Sequence, residues 1–337
     1  MHYLRGTLAA GTYIWTGRMG LFARAKKHEG WLATVFGSDG ISGAVVVRQY
    51  EGMPQVKSLA FQAGSRPAPA EALDRLGKEL QAPQRHCTTL LAAGEYQLLS
   101  LEAPAVPREE LKTAVGWRLK DMLDFPLMEA TIDVFDVPGD QSAVQRGTSV
   151  FAVAARNNAV ARRQALYTEC KIGLSVIDIP EMAQRNIATL LETPGRGIAM
   201  LSFDGDGGLL TMSFNGELCQ SRRIDVKLGQ LLSDDASAYY DRITLELQRS
   251  FDHFDRQFHF ISLSRLVLLT GGADGLHGYL ADNLYMPVER LDLASVFNLD
   301  SVPELAEPAM QARYFLALGA ALRLETKADG KSEGKGA

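Results

Sequence analysis

The chain has 337 residues, 46% of them hydrophobic and 22% charged, a balance that suits a soluble globular protein of about two domains. A net charge of −5 excludes a global basic field for nucleic acid, and no apolar run approaches the roughly 18 residues that a membrane helix needs. Cys87, Cys170 and Cys219 are far apart and odd in number, so they offer neither a disulfide framework nor metal-ligand spacing and fit a reducing cytosol.

Residues 1–28 carry Arg5, Arg18, Arg24, Lys26 and Lys27 without an acid. They read either as an over-extended start, with Met19 as the natural beginning, or as a basic arm for anionic lipid. Residues 31–35 and 41–48 read as strands around the turn Gly37-Ser38-Asp39-Gly40. A loop over 64–69 precedes a helix over 70–80, spaced by Leu73, Leu76 and Leu80, and a buried strand over 87–93. A strand over 96–101, the segment Pro104-Ala-Val-Pro107 and a helix over 108–123 come next. Residues 132–137 and 149–155 pair as strands across a polar loop. A helix over 160–170 and a strand over 174–179 lead to Pro180, which opens another helix at its first turn.

The second half repeats the plan. Strands over 198–202 and 209–214 flank a Gly/Asp turn, and Asn215-Gly216 makes a tight hairpin into 217–224. A long helix covers 237–258, with an apolar stripe at Tyr239, Ile243, Leu247, Phe254 and Phe258 that reads as core. A strand from Leu266 ends in Thr270-Gly271-Gly272-Ala273, and a helix over 276–283 begins at once. Paired glycines at such a junction let backbone approach a ligand and aim helical N–H groups at it, or simply let a helix pack closely on a sheet. Each half opens with strand, Gly/Asp turn, strand, which predicts two related lobes. The tail, 324–337, has nothing to bury and is expected to be disordered. The expected segments are 29–95, an inserted 96–158, a return over 159–195, and a second lobe over 196–323. Other chemistry is thin: the histidines lack ligand spacing, and there is no Gly-x-Ser-x-Gly elbow or Walker loop.

Four stretches in order resemble the PilM-type proteins of type IV pili. They are Ser100 to Phe135, with its Trp117-Arg118 pair and Phe125-Pro exit; Gly173-Leu-Ser-Val-Ile-Asp-Ile-Pro-Glu-Met-Ala; Thr244-Leu-Glu-Leu-Gln-Arg-Ser-Phe; and Ala312-Arg-Tyr-Phe-Leu-Ala-Leu-Gly. Trp117-Arg-Leu-Lys-Asp-Met-Leu-Asp-Phe-Pro and Arg222-Arg-Ile-Asp are similar to the branch that serves mannose-sensitive haemagglutinin pili. The resemblance implies an α/β, actin-like fold of two lobes with a small inserted α+β subdomain. It also implies a cytoplasmic place beside the inner membrane. In the family, the inserted subdomain and first lobe hold an N-terminal peptide of a PilN-like bitopic membrane protein, and a motor ATPase is the further partner implied.

Intact relatives place Asp-Ile-Gly-Thr-Ser at a first phosphate loop and Asp-x-Gly at a second. Here the first aspartate position falls at Thr34 or Val35 and the second at Ser202, with Asp204-Gly205 or Asp206-Gly207 as shifted alternatives. The candidate nucleotide residues are Gly37, Ser38, Asp39, Gly40, Asp204, Gly205, Gly271, Gly272 and Ala273; the turns among them are equally ordinary hairpin chemistry. No cofactor is expected to be required, with ATP/Mg²⁺ at most weakly bound, and no catalytic or metal-ligating residue is assigned. Trp117 falls off the apolar stripe of its helix (Leu111, Val115, Leu119, Met122), which makes Trp117, Arg118 and Phe125 the expected partner contacts. The rival expectations are a working actin-like ATPase and the equivalent component of a type II secretion system.

Overall fold

In the first strand, β1 (Trp31–Phe36), Leu32 is buried on one side and Ala33 on the other, so the sheet it belongs to must be covered on both faces. The computed structural model describes residues 30–48, 51–64, 69–139 and 149–323; the expectations for 1–28 and 324–337 lie outside the described residues. The first lobe continues with β2 (Gly40–Val47), β3 (Gln55–Ala63), α1 (Pro69–Glu79) and β4 (His86–Leu90). The inserted subdomain contains β5 (Tyr96–Glu102), α2 (Arg108–Leu119), β6 (Ala130–Asp136) and β7 (Ser149–Arg156). The chain returns through α3 (Asn157–Glu169), β8 (Leu174–Asp178) and α4 (Pro180–Leu191). The second lobe holds β9 (Gly197–Phe203), β10 (Gly208–Phe214), β11 (Glu217–Ile224), α5 (Leu228–Leu231), α6 (Tyr240–Gln257), β12 (Leu263–Leu269), α7 (Asp274–Asn283), β13 (Val288–Arg290) and α8 (Pro308–Ala321).

The lobes share one topology. The first sheet runs β3-β2-β1-β4-β8 and the second β11-β10-β9-β12-β13, each with an antiparallel meander followed by two parallel strands. A separate sheet, β5-β7-β6, forms the inserted subdomain. The edge strand β3 has no counterpart among the sequence expectations, and α2 stops at Leu119, short of the expected 123.

The covering helices are exchanged. Leu32, Val45, Leu73, Leu76 and Tyr167 form a core between the first sheet and α1/α3. The sheet's other face, through Ala33, Ala44 and Val46, packs on α8, which follows the second lobe in sequence. Helix α4 follows the first lobe but lies against β9, β10 and β11. Ile198 and Met200 of β9 therefore join the same core as Ala33 and Val46, while Ala199, Leu201 and Phe203 face the α6/α7 core with Ile243, Leu247, Phe254 and Phe258.

Helices α4 and α8 meet at backbone distance. A Cβ built on Gly319 collides with the main chain of Ala183, so only glycine fits. Nearby, the Asn186 amide donates to the Gly319 carbonyl at 2.9 Å, and buried Arg323 pairs with buried Asp178. Because the collision is with main chain rather than a flexible side-chain end, Gly319→Ala is expected to cost about 3 kcal/mol, read as a lower urea midpoint at unchanged slope.

Candidate functional site

The internal symmetry fixes how the two Gly/Asp turns correspond. Phe36 pairs with Ile41 across four residues, 37–40, and Phe203 pairs with Gly208 across four residues, 204–207. Each turn closes with the same bond: the Gly37 N–H donates to the Gly40 carbonyl at 2.8 Å, and the Asp204 N–H to the Gly207 carbonyl at 3.0 Å. Gly40 (φ 157°) and Gly207 (φ 137°) end the turns in backbone that favours glycine. In this register Val35 corresponds to Ser202.

Both turns border one interlobe cleft of about 400 Å³. Gly37, Ser38, Asp39, Gly40, Asp204, Gly205 and Gly271 line it, so seven of the nine candidate nucleotide residues come together. The other two do not line it: Gly272 is exposed elsewhere, and Ala273 is buried in the second-lobe core, where the turn into α7 places it. The rest of the lining includes Phe61, Leu90, Leu228, Leu232, Ala312 and Leu316, which give the cleft a largely apolar wall.

The residues at and beside the ends of β1 and β9 are engaged within the fold. Val35 is apolar. The adjacent Thr34 is buried, its hydroxyl hydrogen-bonded to that of Tyr167, and its carbonyl accepts from Thr89 at 3.1 Å. Burial pushes the Tyr167 phenol up to about 12, against the pull of the Thr34 and Thr89 hydroxyls. Arg163 donates to Thr89 and to the Leu90 carbonyl, pairs with Glu95 at 2.9 Å, and stacks 4.3 Å over the Phe36 ring. A fixed buried cation thus stands beneath the first turn.

In the second lobe, the Ser202 hydroxyl donates to Gln184 Oε1 at 2.6 Å. The Gln184 amide nitrogen in turn donates to the Met200 and Leu209 carbonyls and to Thr211. Asp204 accepts from the N–H groups of Asp206 and Gly207 at 2.7 and 3.1 Å, a self-contained turn bond. Burial is the largest influence on its carboxyl and raises it above the usual range. Asp39 faces Arg313 at 3.7 Å, and Arg313 lies 4.3 Å over Phe61. No group of three or more His, Cys, Asp or Glu among the described residues is placed to hold a metal ion.

The two turns also touch. A Cβ on Gly205 would stand 2.5 Å from Ser38 Oγ, so the serine fills the gap between them. Over Gly271 (φ 57°), a Cβ would stand 3.1 Å from atoms of Leu228 and from Ala312, so protein side chains occupy that approach. Val35 and Ser202, at corresponding strand ends, supply no carboxylate to the cleft.

On the inserted subdomain, Trp117 is 69% exposed, as an off-stripe position predicts. Arg118 donates to the Glu102 carbonyl at 2.9 Å, which ties α2 to β5. Phe125 corrects the expectation: it is only 6% exposed, with the Arg156 guanidinium 4.4 Å over its ring, because the Pro126 exit turns it inward. Sequence reasoning missed Met128, which is 89% exposed, and the group Tyr96, Glu181 and Arg223, whose members come from three separate elements.

The chain is similar to several solved structures. A chain of a PilM-PilN type IV pilus biogenesis complex matches with a TM-score of 0.70 at 21% identity, over 88% of this chain and 98% of that one. The cytoplasmic domain of EpsL, an inner-membrane component of the Vibrio cholerae type II secretion system, matches at 15% identity and a TM-score of 0.45, over 85% and 94%. A Bacteroides thetaiotaomicron protein with an actin-like ATPase fold matches at 11% identity and a TM-score of 0.47, over 85% and 99%. No protein-family model and no curated protein sequence matches the chain. The fold is the α/β, actin-like one expected from the sequence. No helix among the described residues is long and apolar enough to cross a membrane.

The bonds around Ser202 make a specific expectation. Ser202→Asp sets a carboxylate against Gln184 Oε1, and flipping the amide would break its donor bonds. A loss of about 3 kcal/mol at pH 7 is expected in chemical denaturation, with no gain of ATP turnover.

Proposed function

We propose that this chain is a PilM-like adaptor of a type IV pilus machine, the counterpart of MshI in the mannose-sensitive haemagglutinin system. It works on the cytoplasmic side of the inner membrane, binds a PilN-like bitopic protein through the inserted subdomain, and hands that attachment on to the motor ATPase. The observation that carries this reading is the match to a PilM-PilN chain across nearly its whole length. The sequence motifs at Ser100 to Phe135 and Ala312 to Gly319 support it.

The cleft has become architecture in this reading, and the protein does not hydrolyse ATP. Catalysis of phosphoryl transfer needs metal and water held in line by carboxylates. Val35 and Ser202 supply none, and Ser38 closes on Gly205 where the phosphates would lie. A second reading, a nucleotide-binding switch, is favoured by one fact: both turns and Gly271 still meet in a single cleft.

Titration calorimetry with Mg²⁺-ATP decides between them. The adaptor reading expects no saturable heat at micromolar protein and no phosphate release; micromolar affinity with turnover sinks it. The partner surface has its own check. Trp117 is a large exposed aromatic on a well-formed helix, so Trp117→Asp should leave the melting temperature unchanged and cut retention of a PilN-like N-terminal peptide at least roughly tenfold. Undiminished retention by the folded variant would remove Trp117 from the contact.

A further inference from the structure

The inserted subdomain is tied in sequence to the first lobe, yet it docks on the second. Its sheet has two faces of alternating residues. Val150 and Ala152 of β7 pack under α2 with Leu99, Leu101, Ile132 and Val134. Phe151 and Val153 face the other way, and with Phe135, Val137 and Leu98 they join the apolar core of the second lobe.

That docking is not sealed by packing alone. A cavity of about 250 Å³ lies at the junction, bordered by Gly94, Tyr96, Leu98, Glu181, Ser221 and Arg223. Three of those side chains bridge it. The Tyr96 hydroxyl on β5 donates to Glu181 Oε2 at 2.5 Å. Arg223 on β11 donates to the Tyr96 oxygen at 2.9 Å and to Glu181 Oε1 at 3.2 Å. Glu181, at the first turn of α4, is only 3% exposed, and Arg223 is its ion-pair partner. Burial and the adjoining carboxylate hold the Tyr96 phenol well above its ordinary range, which keeps it a donor.

The chain enters the subdomain through Gly94 at φ 84°, with no atom within 4 Å of where a Cβ would stand. The turn that holds it is closed by the Glu95 N–H, which donates to the Ala92 carbonyl at 3.0 Å, and by Arg163, which pairs with Glu95 at 2.9 Å. The subdomain is thus tied to the first lobe at its entry turn and to the second by a polar bridge across the cavity.

We propose that the inserted subdomain is an arm whose orientation on the second lobe is set by Arg223, the positioning residue that latches it through Glu181 and Tyr96. The arm carries exposed Trp117, Met122 and Met128, so the latch sets where that apolar surface stands. The inference does not rest on the identity of the partner.

Spin labels on the full chain test it. Met128→Cys on the arm and Tyr285→Cys on the second lobe are both highly exposed, and Cys170→Ser removes the native thiol that is not fully buried. Double electron–electron resonance should give one narrow distance in this parent. Arg223→Met should broaden the distribution roughly twofold or add a second distance, and Tyr96→Phe should give an intermediate width. Arg223→Met leaves Glu181 charged and unpaired, which can unfold the chain. The double variant Glu181→Gln/Arg223→Met removes that charge, and it should recover stability while keeping the broad distribution. A distance distribution identical to the parent's in the folded double variant overturns the proposal, since a merely structural role would move the melting temperature and not the arm.

Discussion

The contact between α4 and α8 is the constraint on which the rest of this molecule depends. Gly319 lies against the main chain of Ala183, and around that crossing one core runs from Ala33 and Val46 in the first sheet to Ile198 and Met200 in the second. Each sheet is roofed by the helix that comes after the other lobe. The two lobes are therefore held by apolar burial, with the Asp178–Arg323 pair and the Asn186–Gly319 bond fixing the register of the helices. Packed interiors have few soft directions. A cleft between two lobes fastened in this way is set by the protein itself.

Within the cleft, the two Gly/Asp turns meet each other, Ser38 against Gly205. Their backbone geometry survives because the hairpins need it: the turn bonds at 37–40 and 204–207 belong to the meanders. Side-chain chemistry at the strand ends is under no such demand. Val35 lines the wall, and Ser202 serves Gln184 in a bond network that satisfies carbonyls of β9 and β10. Buried polar groups have become structural ties, with Arg163 beneath Phe36 supplying a fixed positive charge.

Much of this was legible in the sequence where local rules decide. The paired Gly/Asp turns, the strands β1 and β9, and the α6 stripe all come from residue type and spacing. The edge strand β3 escaped because Lys57, Ser58 and Gln62 break its apolar alternation at the sheet's rim. The helix α2 ends early because the 3₁₀-type bond from the Lys120 N–H to the Trp117 carbonyl tightens its last turn, and the chain then folds Phe125 under Arg156. An aromatic beside proline gives no local sign of facing inward. The contacts at the site were beyond reach for a different reason. Tyr96, Glu181 and Arg223 meet only because two sheets and a subdomain are stacked, and no spacing along the chain encodes that. Gly271 was legible as a close-approach glycine, but that Leu228 and Ala312 approach it is a tertiary fact.

The exchange of helices also bears on how the chain is made. During synthesis, β1, β2 and β4 leave the ribosome roughly two hundred residues before α8, a lag of roughly 10–40 s at ordinary elongation rates. For that time the face of the first sheet that carries Ala44 and Val46 has no roof. The nascent protein therefore passes through a stage with a bare apolar sheet, a surface that holdase chaperones recognise and that invites misassociation between neighbouring chains. The first lobe is completed only after the second has been made.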